Sequence, residues 1–258
     1  VLINHKSDTY KEFLLNFDGV DDWVDFGRPA ELEFDNYGQA FSAIITVIPS
    51  AGDLDGGGYY WIVASGHKDG TDNFSFVFNN SVLRPYLETS NNGIWVDSDF
   101  APTASEQYTF VLVYDGSSYV MHVYKDGNIS KECEKSATGD IVSADGTVTI
   151  GARRGQDGHS SSKVVDLRFY NRVLTQTEAK DIIEGVVDDT NGLKGYWPID
   201  EGSGTIVYDK SGNENNGTIQ GSPLIWEEVT KWQQTTKDGH LPRILEGGDL
   251  SYKYLWIK

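Results

Sequence analysis

The stretch 108-YTFVLVYDGSSYVMHVYKDG-127 decides how this chain folds. Two runs rich in β-branched and aromatic residues, 108–114 and 119–124, flank Asp115-Gly116, and a second Asp-Gly pair closes the stretch at 126–127. Side chains of these types suit a pleated, half-buried surface, and Asp-Gly supplies the backbone angles of a tight hairpin. The same unit recurs outward in both directions. Runs at 13–17, 23–26, 40–48, 59–64, 73–78, 82–87, 148–150 and 164–170 read as strands, with further turn signals at Asn92-Gly93 and Asp145-Gly146. Many short strands at this spacing predict an all-β sandwich or barrel.

Composition agrees, with 12% aromatic residues and 28 glycines. A chain of 258 residues could hold two small domains or one large β-domain. The segment 195-GYWPIDEGSGTIVYDKSGNENNG-217 looks like the opening of a domain, yet only residues 227–258 follow Trp226, too few for a second sandwich. The expected organisation is therefore one sandwich over 1–226, completed by 192–226. Residues 227–258 form an appendix, read as an edge strand or an attachment segment, in which Tyr252, Tyr254 and Trp256 alternate so as to share one face. One short helix near 175–185 interrupts the strands. Thr175 and Glu178 make a capping box, Ala179, Ile182 and Ile183 an apolar face, and Gly185 a left-handed stop.

The formal charge is −18, from 21 basic and 39 acidic residues, which sets nucleic acid aside as a partner. Cys133 is the sole cysteine, so no intrachain disulfide forms, and no apolar run approaches the roughly 20 residues of a membrane span. A chain that opens on Val1 without an initiator methionine reads as a mature or excised fragment.

The segments LNFDGVDDWVDFG (15–27), FVLVYDGSSYVMHVYKDG (110–127), TVTIGARR (147–154) and VVDLRFYNRVLTQTEAKDII (164–183) resemble, in order, the blocks of the laminin-G-like jelly-roll domain of the concanavalin A-like lectin/glucanase superfamily. GLKGYWPIDEGSGTIVYDKSGNENNGTI (192–219) is similar to a block that flanks such domains. The resemblance implies a two-sheet antiparallel jelly-roll sandwich. It narrows function little, since these domains include glycan-binding modules, adhesion domains and passive spacers.

Asp18, Asp21, Asp22 and Asp25 fall within eight residues, and their repulsion has to be offset by solvent or by a cation. Ca2+, which takes six to eight oxygens from carboxylates and carbonyls, suits such a loop. The resemblance implies a structural calcium held between this loop and a late strand. The expected ligands are Asp18, the Gly19 carbonyl, Asp21 and Asp166; a solvated acidic turn is the alternative. Asp53-x-Asp55-Gly lacks the twelfth-position glutamate of a calcium loop, having Ala64 there. The run from Asp209 to Asn215 has Glu214 and Gln220 where such a loop needs glycine and glutamate, and reads as a turn held by its own side chains.

An enzyme is not expected. Glu31-x-Glu33-x-Asp35 alternates as a glucanase pair would, but it follows Arg28-Pro29 and enters a loop, where alternate residues share no face. No HExxH, Gly-x-Ser-x-Gly or phosphate loop is present. Sugar binding remains: pyranose rings present apolar faces to aromatic planes while polar side chains take the hydroxyls. The candidates are Trp61, His67, Asp72, Asn73, Arg84, Tyr86, Trp95, Arg153, Arg154 and His159; the basic pair Arg153-Arg154 could draw an anionic polysaccharide, an ion pair with nearby aspartates being the alternative. The expected role is lectin-like recognition at an extracellular or surface-exposed site. The rival is a structural or adhesion module of a cell or virion surface.

Overall fold

The computed structural model describes residues 9–33, 38–55, 57–66, 72–142, 147–153, 157–221, 225–234 and 243–245. Its strands are β1 (Thr9–Asn16), β2 (Trp23–Asp25), β3 (Phe41–Ile48), β4 (Tyr59–Gly66), β5 (Asp72–Asn79), β6 (Val82–Glu88), β7 (Gly93–Trp95), β8 (Tyr108–Tyr114), β9 (Ser118–Lys125), β10 (Asn128–Ser136), β11 (Val148–Ile150), β12 (Lys163–Tyr170), β13 (Leu193–Trp197), β14 (Ile206–Val207), β15 (Gly217–Gln220), β16 (Ile225–Gln234) and β17 (Arg243–Leu245). A single helical turn, α1 (Ala51–Leu54), follows β3, and α2 (Gln176–Ile183) follows β12.

These strands pair into two antiparallel sheets. Sheet A runs β10-β9-β8-β3-β12-β1-β16-β17, with β13 also on β12; sheet B runs β14-β15-β2-β11-β4-β5-β6-β7. The alternation of β5 and β8 shows why they stack. Phe74, Phe76 and Phe78 point one way from sheet B, Phe110, Leu112 and Tyr114 point back from sheet A, and all six are fully buried. Phe76 meets Phe110 at 5.2 Å between ring centres. The expected jelly-roll sandwich is what the chain forms.

Helix α2 covers the outer face of sheet A. Its Thr175–Glu178 capping box is present, Gly185 follows at φ +67°, and Ala179 and Ile182 pack on Ile44, Val111, Val113, Tyr170 and Leu174. The expected single helix is joined by α1, a turn too short to show in hydrophobic periodicity; the Ser50 hydroxyl caps it by accepting from the Asp53 amide at 3.0 Å.

The late segment is paired into both layers. β13 lies antiparallel to β12, with Leu167 opposite Trp197, and β15 lies against β2, with Ile219 opposite Val24. Trp197 is fully buried, 4.5 Å from Phe26 and 6.0 Å from Phe169 between ring centres, and its indole N–H donates to the Asn215 carbonyl at 2.9 Å. β16 pairs with the whole of β1, from Asn16 opposite Ile225 to Thr9 opposite Trp232. Tyr252, Tyr254 and Trp256 lie outside the described residues.

Candidate functional site

Because Phe74, Phe76 and Phe78 take the core side of β5, Ser75, Val77 and Asn79 face outward from sheet B, opposite the helix-covered side of the molecule. Register extends this outer face across the neighbouring strands. Trp61, Val77 and Arg84 lie side by side, as do Ala64, Ser75, Tyr86 and Trp95. Trp61, Ala64 and Val77 close into a small apolar cluster, and Trp95 packs on it from the edge strand β7. Ring centres lie 5.5 Å apart for Tyr59 and Trp61, 6.1 Å for Tyr59 and Trp95, and 4.7 Å for Tyr86 and Trp95. The Arg84 guanidinium sits 5.2 Å over Trp95 and that of Arg153 5.4 Å over Trp61.

The rings differ in access. Trp61 is only 8% exposed and is sealed within the cluster, so a sugar cannot stack on it as expected. Tyr59 is 43% exposed, and Trp95 and Tyr86 are half-buried. Tyr59 was not among the expected residues, although it sits two positions before Trp61 and shares its strand face. The polar groups are tied to one another. Arg84 donates from Nε and Nη2 to Asp97 at 3.1 and 2.6 Å and from Nη1 to Asn79 at 3.2 Å. Arg153 Nε donates to the buried Asp72 at 2.7 Å. The Tyr86 hydroxyl donates to Glu88, and burial followed by that carboxylate pushes its ionisation well above the usual range. Asn73 is buried with its amide on the Val142 carbonyl at 2.5 Å, which makes it a structural tie and not the expected ligand contact. His67 and Arg154 lie outside the described residues.

Residues 157–162 hold this face to the rest of the sandwich. The Trp61 amide donates to the Gly158 carbonyl at 3.0 Å. Gly158 itself has φ +55°, and a Cβ there would run into the Trp61 ring, so glycine is required on both counts. His159 is half-buried and puts Nδ1 3.4 Å from the Asp22 carbonyl, which directs it to the acidic loop. The next three residues surround Asp53. One oxygen of this 1%-exposed carboxylate accepts from the Ser161 amide and hydroxyl, both at 2.8 Å. The other accepts from the Ser160 hydroxyl and from the Ser162 amide (3.1 Å) and hydroxyl (2.6 Å). A string of three serines facing one aspartate a hundred residues away carries no local signal in sequence.

In the acidic loop, oxygens of Asp18, Asp21 and Asp22 lie within 4.8 Å of one another. Asp18 Oδ1 accepts the Val20 amide at 2.7 Å, and Asp22 Oδ2 accepts the Asp18 amide at 3.2 Å. Asp22 is 3% exposed and its Oδ1 has no hydrogen-bond donor; burial, then the Asp18 charge, raises its carboxyl above the ordinary range. Clustered carboxylates with a buried, undonated oxygen are a donor set that fits a hard cation. Gly19, at φ +78°, packs the loop against Ser161.

Asp166 does not join them. Asn16 is opposite Lys163, so Asp166 lies three residues further along β12, on the order of 10 Å from the level of the loop. Its carboxylate is taken by Arg168, at 3.1 Å from Nε and 3.2 Å from Nη2. Asp209 accepts the amides of Tyr196, Ser211 and Asn215 and the Ser211 hydroxyl, the self-held turn expected of it. Glu31 lies in a 3-10 turn paired with Lys194 at 2.8 Å and Glu33 pairs with Arg28 at 3.2 Å, so neither lies on a strand.

A two-layer antiparallel sandwich, helix-backed on one side and aromatic on the other, places the molecule among the concanavalin A-like folds. Residues 18–180 match the laminin-G-type family model of the concanavalin A-like lectin/glucanases superfamily, and the chain belongs to that family. Among solved structures it is similar to a Bacteroides ovatus protein provisionally assigned to carbohydrate binding, at 16% identity and a TM-score of 0.59, covering 85% of this chain and 60% of that one. The present chain thus spans about 60% of that protein's length. It is also similar to the heptameric SAP-like pentraxin of Limulus polyphemus, at 16% identity and a TM-score of 0.48, covering 71% and 84% of the two chains. A third similarity is to mouse laminin alpha1 domains LG4-5, at 10% identity and 0.43, covering 65% and 44%. No curated protein matches the chain.

Proposed function

We propose that this chain is a non-catalytic carbohydrate-binding module, stabilised by calcium and acting in recognition outside the cell or on a cell or virion surface, with the outer face of sheet B as its ligand face. The observation that carries the reading is the accessible aromatic surface of Tyr59, Trp95 and Tyr86, backed by Trp61 and flanked by Arg84, Asp97 and Glu88. Such a surface offers flat apolar planes next to fixed hydrogen-bonding groups, which is what a pyranose needs. The provisional carbohydrate assignment of the Bacteroides ovatus protein points the same way.

The non-catalytic part of the reading is supported by Glu31 and Glu33, which lie off any strand and in separate ion pairs. Calcium is supported by Asp18, Asp21 and Asp22, which would hold it and gain relief from their mutual repulsion. An oxidising exterior suits Cys133, whose thiol is pushed up to about 11 by burial and so resists oxidation. No helix among the described residues is long and apolar enough to cross a membrane.

A glycan array probed with and without calcium tests the reading. Saturable binding that Trp95→Ala weakens about 30-fold, equivalent to roughly 2 kcal/mol for an aromatic anchor covered by its ligand, is the expected result. Uniform silence of the wild type would instead leave the structural or adhesion module.

A further inference from the structure

We infer that the outer face of sheet B selects neutral glycans and discriminates against anionic ones. The inference rests on the carbohydrate reading above and narrows it, taking for Arg153 the ion-pair alternative over the anionic ligand.

The argument is one of charge and donor balance. The two described arginines of this face already hold carboxylates: Arg84 is forked onto Asp97, and Arg153 is bonded to a buried Asp72. Both also lie over indole rings, Arg84 over Trp95 and Arg153 over Trp61. Their cationic charge is thus matched before any ligand arrives, while Glu88, bonded to Tyr86, and Lys135, bonded to the Trp95 carbonyl at 2.8 Å, add one charge of each sign at the edge, so the described residues give the face no cationic excess. The chain as a whole carries −18. A sulfate or uronate reaching this surface would have to displace a carboxylate from an arginine and then sit beside the displaced charge.

A neutral sugar meets the opposite situation. Asp97 is 69% exposed and, like Glu88, retains lone pairs that accept from hydroxyls, while the C–H face of the ring lies on Tyr59 and Trp95. Among the described residues of the face the arginine donors are thus engaged, whereas Asp97 and Glu88 keep acceptor capacity. That arrangement suits a ligand rich in O–H donors and penalises one that brings only acceptors.

Affinity electrophoresis of the whole chain tests this, using gels that contain neutral polymers (β-glucan, mannan, arabinan, galactan) or anionic ones (polygalacturonate, alginate, heparin). Runs at about 20 mM and about 0.5 M NaCl separate screened from unscreened binding. The expected result is retardation by at least one neutral polymer, changing less than about twofold with salt, and none by the anionic set. Trp95→Ala should reduce the retardation at least about tenfold; Tyr59→Ala, a change at a more exposed ring, serves the same purpose should the first variant fold poorly. Salt-sensitive retardation by an anionic polymer that either variant abolishes overturns the inference while leaving the carbohydrate reading in place. Silence across both sets overturns the two together.

Discussion

Replacing Asp53 by alanine is expected to cost about 2–4 kcal/mol of stability and to release the segment that seals Trp61. The magnitude follows from what each donor can do once the carboxylate is gone. The Ser162 amide keeps a second acceptor in the Ser160 hydroxyl at 3.0 Å and the Ser161 hydroxyl keeps the Ser50 hydroxyl at 2.5 Å, whereas the Ser160 and Ser162 hydroxyls lose the acceptor they donate to, Ser162 still accepting from the Ser50 amide at 3.0 Å. The Ser161 amide has no such alternative among these bonds, and an unpaired buried N–H costs about 1–3 kcal/mol. Loss of the remaining charge-assisted bonds adds a similar amount, reduced because a buried charge no longer has to be desolvated. Urea titration should show a lower midpoint at unchanged slope, and the melting temperature should fall by about 5–15 °C. Hydrogen exchange supplies the second readout: the Trp61 amide, bonded to Gly158, should lose protection by more than the average core amide. A stability change below about 0.5 kcal/mol, or a loss that leaves Trp61 no more open than its neighbours, would refute the idea that Asp53 anchors this segment.

Trp197→Ala should destabilise by about 3–5 kcal/mol through the cavity left between Phe26 and Phe169, measured by denaturant titration; a cost under about 1 kcal/mol would mean that 192–226 is only loosely attached. Millimolar calcium should raise the melting temperature by about 5–10 °C over chelated protein if it reaches a hundredfold excess over its dissociation constant, and Asp22→Asn should abolish that shift. His122, half-buried on β9 with Lys131 and Glu134 as its charged neighbours, has a pKa lowered from 6.5 chiefly by burial and secondarily by Lys131. The folded state therefore binds its proton less readily than the unfolded state, and stability is lost as pH falls below 6.5. The unfolding free energy of the wild type should fall relative to that of His122→Gln from pH 7 to pH 5.5, and a constant difference would show that His122 is not responsible.

The legible parts of the chain were those in which hydrophobic pattern and turn chemistry coincide. β8 is found at 108–114 and β11 at 148–150, as read from the residues, because apolar runs with clear turn signals specify their own ends. β10 was not anticipated. Its residues, NISKECEKS, are mostly exposed at the margin of sheet A, so burial imprints no alternation on them, and its position follows from the Asp126-Gly127 turn and pairing with β9. The aromatic face was half legible: Trp95, Tyr86 and Arg84 could be named from residue type, but which ring is covered depends on Gly158, far along the chain. The acidic loop could be recognised from charge density, whereas the distance of Asp166 from the Asp18, Asp21 and Asp22 cluster depends on strand register, which no local pattern records.

One segment links features that the sequence keeps apart. Gly158 holds the Trp61 amide, His159 reaches the Asp22 carbonyl, Ser161 packs on Gly19, and Ser160 to Ser162 enclose Asp53. A cation drawing Asp18, Asp21 and Asp22 together would therefore act on a loop in direct contact with the residues that seal the aromatic cluster. On the proposed function, calcium is then expected to tighten glycan binding without touching the sugar, by holding residues 157–162 more firmly against the aromatic cluster. Titrating one bound polysaccharide against protein with calcium, with chelator, and as Asp22→Asn separates the possibilities. Equal affinities in all three, alongside a calcium-dependent melting temperature, would show that the loop and the face are neighbours without being coupled.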